Sequence, residues 1–390
     1  MVDGVKRYFR AQADQIHEEV WEIARRIGLN PELGYEEYYA SEQLTNYLGD
    51  QGFHIEKGIG GLKTAFSAYF KGSLPGPRIV FLAEYDALPG IGHGCGHNLI
   101  GAASTGAAVV LSRYRDLPGE VWVMGTPAEE TSGAKVTLVE QGYFDHMDAA
   151  LMFHPGSQNV PQISTLALDA WEFVFWGRSA HAVAAARYGI NALDALIDFF
   201  SRVNEIKSKL NEDCKINGII VEGGTTPNVI PDRAVAHFYI RADRRDKLNR
   251  LSEQVIGCAW QVAQDYGAKV EWNKFEFSYD EMRSNQTLAS AFAKNLFELG
   301  IRNICPQQSA LGSVDMGNAS HVVPSIHPYL ILGRGMDIPH TKEFAQAAVG
   351  AEGKRLLLLA IEALALTGWD VLSDSKLLEK IKEEFRSEQR

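Results

Sequence analysis

Residues 91–98 read IGHGCGHN and set His93, Cys95 and His97 at alternate positions with glycines between them. Three chemistries compete for such a stretch. A phosphate-cradling loop needs G-x-G-x-x-G or the Walker spacing, and the strict alternation Gly90, Gly92, Gly94, Gly96 gives neither. A nucleophilic Cys95 needs a histidine base, but one two residues away is a poor geometric partner for the thiol. Metal ligation suits the spacing better. In an extended loop residues two apart point to one side, so Cys95 and His97 would face one ion, with glycines letting the backbone crowd it.

More ligand-type residues follow. TPAEETSGAK carries Glu129 and Glu130 after a strand-like run, and adjacent residues of an extended turn would project oppositely, one to a metal and one to the attacking water. LMFHPG ends a strand on His154, and MDIPHTKEF offers His340 before a helix. Cys, His, Glu, His and His at one sheet edge, with a spare carboxylate, suit a two-metal hydrolase.

The elements that must position these residues are legible as periodicity. Phe9, Ile16, Val20, Ile23 and Ile27 predict an amphipathic helix over 5–28, and a second helix is expected over 39–49. Strands are expected at 64–70, 78–85, 120–126 and 149–154, with helices after the glycine stretch and over 134–142. Strands alternating with helices predict an α/β core with a buried, largely parallel sheet flanked by helices. The pattern shifts near residue 165. Strands including 171–177, and helices over 189–206 and 246–266, predict an inserted α+β domain of four strands and two helices. The expected organisation is a discontinuous catalytic domain, 1–164 and 280–390, interrupted by a lid and dimerisation domain, 165–279.

Composition narrows the function class. The 390 residues are 46% apolar, enough to bury a real core, and the net charge of −11 argues against a nucleic-acid binder. No run of about 18 apolar residues is evident, the first twenty residues lack an apolar signal core, and four cysteines make no disulfide framework. A cytoplasmic protein without membrane contact is expected.

The segments EYDALPGIGHGCGHNLIGAAS, PAEETSGAKVTLVEQGYFD, FHPG, GRSAHA, GGTTPNVIPDRA, GSVDMGNASHVVPSIHP and PHTKEF, in this order over about 15–365, resemble the aminoacylase and carboxypeptidase-G family of dinuclear metallohydrolases. They are most similar to the branch holding the aminobenzoyl-glutamate hydrolases and the β-alanyl-lysine dipeptidases. The resemblance implies a metallopeptidase or amidohydrolase that cleaves an amide next to a free carboxylate in a dipeptide, N-acyl amino acid or aryl-glutamate conjugate. It implies two divalent ions per subunit (zinc or manganese, with cobalt or nickel as alternatives) and a homodimer formed through the lid. Cys95 stands at the bridging-ligand position, with His97, Glu130, His154 and His340 at the others and His93 outside the set. Glu129 matches the general base, and Asp86 the aspartate behind the site that orients His97. His181 matches a histidine approaching the reacting carbonyl, often from the partner subunit. Asn228 and Arg241 match carboxylate-binding positions, and Ser313, Asp315 and Asn318 a loop bordering the pocket. Two departures stand out. Asn98 replaces the commoner aspartate of CGHD, and a cysteine replaces an aspartate at the bridge, so the preferred metal stays open. The alternative from another class is a catalytically inactive metal- or ligand-binding protein on this scaffold.

Overall fold

The computed structural model describes residues 2–307, 312–333, 335 and 338–388. The chain opens with α1 (Val2–Leu29), α2 (Tyr38–Asp50), β1 (His54–Lys57), β2 (Phe66–Lys71), β3 (Leu74–Ala83), α3 (His97–Ser112), β4 (Pro118–Gly125), α4 (Ala134–Glu140), β5 (Ala149–Leu151) and β6 (His154–Gly156). A second group follows: β7 (Ala167–Trp176), α5 (Ala192–Lys207), β8 (Cys214–Glu222), β9 (Arg233–Ala242), α6 (Arg245–Tyr266) and β10 (Lys269–Lys274). The chain then continues through α7 (Gln286–Glu298), α8 (Met316–Ser320), β11 (Ser325–Ile326), β12 (Tyr329–Ile331), α9 (Lys342–Ala348), α10 (Ala351–Ser373) and α11 (Ser375–Glu388). By internal contacts it divides into two compact units, one built from residues up to Ser164 and from Met282 onward, the other from Thr165–Glu281.

The first unit is a mixed α/β layer structure. Its six-stranded sheet runs β1-β2-β4-β3-β5-β11, parallel across β4, β3, β5 and β11, with β1 and β2 antiparallel at one edge. Ile79–Ala83 of β3 is a continuous buried apolar run because this central strand is covered on both faces. Helix α3 lies against it. Its residues from His97 to Leu111 are all buried, and its small side chains permit the approach: a Cβ on Gly101 would come within 2.8 Å of the Glu84 carbonyl oxygen. On α1, Phe9, Ala13, Ile16, Val20, Ala24 and Ile27 form the buried stripe that helical spacing predicts.

Two details differ from the sequence reading. The expected strand over 149–154 is two strands, because the chain leaves the main sheet after Leu151 and the His154 N–H pairs with the Pro328 carbonyl, aligning β6 with β12. And α10 is, by length and apolar composition, long enough to cross a membrane, contrary to the expected lack of such a run. In this unit 67% of its most apolar window is buried, with Leu356, Leu357, Ala360, Ile361 and Leu364 in the core.

The second unit is a four-stranded antiparallel sheet, β10-β7-β9-β8, with α5 and α6 packed on one face. Phe173, Phe175, Phe199 and Phe238 meet in its core.

Candidate metal centre

Every candidate ligand of the first unit follows a parallel strand end or joins a loop stitched to one. Asp86 lies three residues past β3, Glu129 and Glu130 follow β4, and His154 follows β5. This carboxyl edge is where open α/β sheets place their chemistry.

The glycine stretch is not extended, and this corrects the expected reason for Cys95 and His97 facing one way. Gly96 takes φ 74°, its N–H donates to the His93 carbonyl, and His97 is already the first residue of α3. A left-handed turn therefore folds the Cys95 thiol over the helix start. A side chain at Gly96 would be strained by that φ, and its Cβ would sit 2.8 Å from Pro155. His340 comes to the same turn: its N–H donates to the Gly94 carbonyl at 3.0 Å.

His97 is held from behind. Asp86 Oδ1 lies 2.9 Å from His97 Nδ1, while Asp86 Oδ2 accepts the Glu130 backbone N–H at 2.9 Å. One buried carboxylate thus orients a ring and a neighbouring backbone. With Nδ1 committed, His97 Nε2 faces Glu84 Oε2 at 3.6 Å and both Glu129 Oε2 and Glu130 Oε1 at 3.9 Å. The two glutamates do not project oppositely, as an extended turn would have them. Ala128 adopts φ 61° and turns both carboxylates toward His97. His340 Nε2 stands 3.5 Å from Glu130 Oε1. His154 uses Nδ1 on the Pro155 carbonyl at 2.7 Å, which leaves Nε2 for a ligand.

Three groups of donor atoms result, each within 4.8 Å: Cys95 with His97 and His154, Cys95 with Glu130 and His340, and His97 with Glu129 and Glu130. His93 is in none of them. It is buried, and burial together with His97 lowers its pKa to about 3.

The electrostatics suit a cation. His97 Nε2, Glu84 Oε2 and Glu130 Oε1 are buried without a hydrogen-bond partner, a costly state for protein alone and the expected one for metal donors. Burial pushes the Cys95 thiol well above its usual range, so it is no activated nucleophile by itself and would need a bound cation to ionise. Burial and then His97 lower His154 to about 4, keeping its imidazole neutral as a ligand must be. Burial, then the charges of Glu84 and Asp315, raise Glu129 well above the carboxylate range, which suits a group that takes and returns a proton. The set of thiol, imidazoles and carboxylates fits divalent metal ions.

Sequence reasoning missed part of the site. Glu84 Oε1 and Asp315 Oδ1 each lie 2.7 Å from Lys135 Nζ, all three groups being buried. The sequence reading has Asp315 bordering the pocket with Ser313 and Asn318. It lies instead beneath the glutamates, its Oδ2 also accepting the Lys135 N–H at 3.2 Å. The Ser313 hydroxyl is buried without a partner, and Asn318 lies on α8. His327 escapes sequence reasoning as well. It is buried, neither ring nitrogen has a partner, and its ring lies 5.5 Å from that of His154. The only hint in the sequence is a histidine between Ser-Ile and Pro-Tyr in an apolar run.

In the second unit, His181 is exposed and its Nδ1 accepts the N–H groups of Val183 and Ala184. The Asn228 carbonyl accepts the Ala182 N–H at 3.0 Å, so His181 and Asn228 sit on adjoining segments. Arg241 does not join them. It stands at the far end of β9 from the 223–232 loop, roughly 25 Å along the strand, its guanidinium 5.1 Å over the Tyr239 ring.

Residues 80–363 match the sequence pattern of peptidase family M20/M25/M40. The chain is 33% identical to a Xaa-Arg dipeptidase of Mus musculus, over 98% of this chain and 92% of that one. It is 31% identical to a subunit of the p-aminobenzoyl-glutamate hydrolase of Escherichia coli, over 72% of this chain and 62% of that one. Its fold matches a dinuclear metal-binding peptidase of the M20 family from Bacillus subtilis, with TM-score 0.66 and 22% identity over 89% of this chain and 98% of that one. A metal-type donor cluster at the carboxyl edge of the sheet, in a chain that matches this pattern over most of its length, identifies the protein as a metallopeptidase of family M20/M25/M40 that hydrolyses amide bonds.

Proposed function

We propose that the protein is a dinuclear dipeptidase whose ions would be held by Cys95, His97, Glu130, His154 and His340. The observation that carries this reading is the convergence of these donors with buried, unpartnered His97 Nε2 and Glu130 Oε1 at one sheet edge. A dinuclear metal-binding peptidase shares the fold, which favours two ions here, and the mix of thiol, imidazole and carboxylate donors suits zinc or manganese. Bound divalent ions supply Lewis acidity, polarising the scissile carbonyl and lowering the pKa of water. The chain's own residues do the rest. Glu129 takes a proton from the attacking water and returns it to the leaving nitrogen, and Asp86 keeps His97 in one tautomer. His181 and Asn228, on adjoining segments of the lid, are assigned to the substrate's carbonyl and carboxylate, with Ser313 as a further substrate contact.

The relative at 33% identity acts on Xaa-Arg dipeptides, so we place peptides with a cationic C-terminal residue ahead of N-acyl amino acids and aryl-glutamate conjugates. Homodimerisation through the lid is supported by β8, an edge strand with Ile219, Ile220 and Val221 exposed. A reducing cytoplasm suits a cysteine ligand.

The test is hydrolysis of Xaa-Arg, Xaa-Lys, Xaa-Glu and aminobenzoyl-glutamate by protein stripped with chelator and reloaded with zinc or manganese. Activity should vanish on chelation and return with metal. Glu129→Gln should lose about 10²–10⁴-fold in kcat with metal content retained. Full activity in that variant would overturn the mechanism, and metal binding without turnover on any substrate would favour the inactive binding protein.

A further inference from the structure

Among the described residues, the non-glycine positions with left-handed φ are Tyr35 at 66°, Ala128 at 61° and His340 at 62°. Ala128 immediately precedes Glu129. Such a conformation costs an alanine about 1–2 kcal/mol and persists only where its surroundings over-determine it. Here they do. The Ala128 carbonyl accepts the N–H groups of Thr131, Ser132 and Gly133, the last at 2.7 Å. Its own N–H donates to Glu37 Oε1 at 2.8 Å, and Glu37 Oε2 accepts the Thr64 hydroxyl at 2.8 Å. Glu37 is fully buried, and nothing in the proposed reaction uses it. The loop that carries it also cups the turn: a Cβ on Gly34 would lie 2.4 Å from Thr131 Oγ1 and 2.9 Å from Ala128 Cβ. Beyond Glu129 the arrangement repeats, with the Glu130 N–H held by Asp86. A buried carboxyl group therefore grips the backbone on each side of Glu129.

We propose that Glu37 is a positioning residue, which pins Ala128 in its left-handed turn and so sets the direction from which Glu129 and Glu130 face His97. Glu37 touches neither ligand atoms nor substrate. It acts through the Ala128 N–H alone. The catalytic consequence rests on the proposed function, whereas the consequence for metal binding rests on Glu130 as a donor. Displacing a reacting group by about 1 Å can cost on the order of 10²-fold in rate, and loss of a group that orients a ligand costs about 10–100-fold in metal affinity.

The experiment compares wild type, Glu37→Gln, Glu37→Ala and the double variant Glu37→Ala/Ala128→Gly. Zinc affinity is read by competition with a chromophoric chelator, kcat and KM on an Xaa-Arg dipeptide, and folding by circular dichroism. Glu37→Ala should bind zinc about 10–100-fold more weakly and lose kcat on the same scale with little change in KM. Glu37→Gln keeps an acceptor in place and should stay within about fivefold of wild type. Glycine adopts the left-handed turn without a Cβ penalty, so the double variant should recover most of the lost zinc affinity. Wild-type zinc affinity and kcat in folded Glu37→Ala would overturn the proposal, as would a double variant no better than Glu37→Ala. Should Glu37→Ala fail to fold, Glu37→Met, which fills the same volume without an acceptor for the Ala128 N–H, takes its place: a tenfold or greater loss of zinc affinity that Ala128→Gly restores supports the proposal, and wild-type zinc affinity sinks it. A wild type that binds zinc but hydrolyses no amide would refute the function and leave the zinc comparison standing.

Discussion

Lys135 is the cation of a buried three-membered charge cluster, and replacing it should expose how that cluster is balanced. Its Nζ lies 2.7 Å from both Glu84 Oε1 and Asp315 Oδ1, tying the start of α4 to the end of β3 and the start of α8. At that distance and an effective dielectric of about 20, each contact carries about 6 kcal/mol of Coulomb attraction. Burial of each ion costs several kcal/mol, so the intact cluster is close to neutral in net stability. Burial works against the Glu84 charge, yet Lys135 with His97 holds its pKa down at about 2. Lys135→Met keeps the aliphatic volume but leaves two carboxylates facing each other without the cation. The expected loss is about 3–5 kcal/mol, or on the order of 10 °C in melting midpoint at about 2–4 °C per kcal/mol. The assay is thermal unfolding in EDTA, because bound metal would add stability by mass action. The triple variant Lys135→Met/Glu84→Gln/Asp315→Asn removes the charges together and should recover most of the loss. A midpoint for Lys135→Met within about 2 °C of wild type would refute the reasoning, and so would a triple variant less stable than the single.

Asp86→Asn offers one acceptor where His97 Nδ1 and the Glu130 N–H now use two; zinc affinity by chelator competition should fall about 10–100-fold. Glu37 supplies a pH dependence. Burial raises its pKa from 4.5 to about 7, so the native state binds this proton more tightly than the unfolded chain. Its contribution to stability is full below about pH 4.5 and is lost as pH rises through about 7, a swing of at most about 3 kcal/mol. Urea unfolding from pH 5 to 8 should therefore show Glu37→Gln gaining on wild type as pH rises, and parallel curves would count against a buried, titrating Glu37.

What could be read from the chain and what could not divide along sequence separation. Cys95, His97, the Glu129–Glu130 pair and His154 stand in motifs of a few residues beside strands whose apolar runs are visible, so local pattern locates them. The stripe on α1 and the small-residue run of α3 are legible for the same reason, since periodicity of burial is written in consecutive residues. Glu84, Lys135, Asp315 and Glu37 are different. Each is a charged residue whose meaning lies in a partner 51, 180 or 91 positions away, and a charge outside a ligand motif predicts a solvated surface. Backbone conformation was hidden too. Alternating glycines suggest an extended loop, but the left-handed φ of Gly96 folds Cys95 over a helix start, and nothing in PAEET announces that Ala128 adopts the conformation glycine would favour. These two failures have one cause: the residues that display the donor atoms are local, whereas those that aim them are assembled only when distant segments pack. It follows that substitutions at Glu37, Asp86 or Lys135 should impair metal binding while every ligand remains in place, and that donor motifs alone would miss a chain of this kind that has lost its aim.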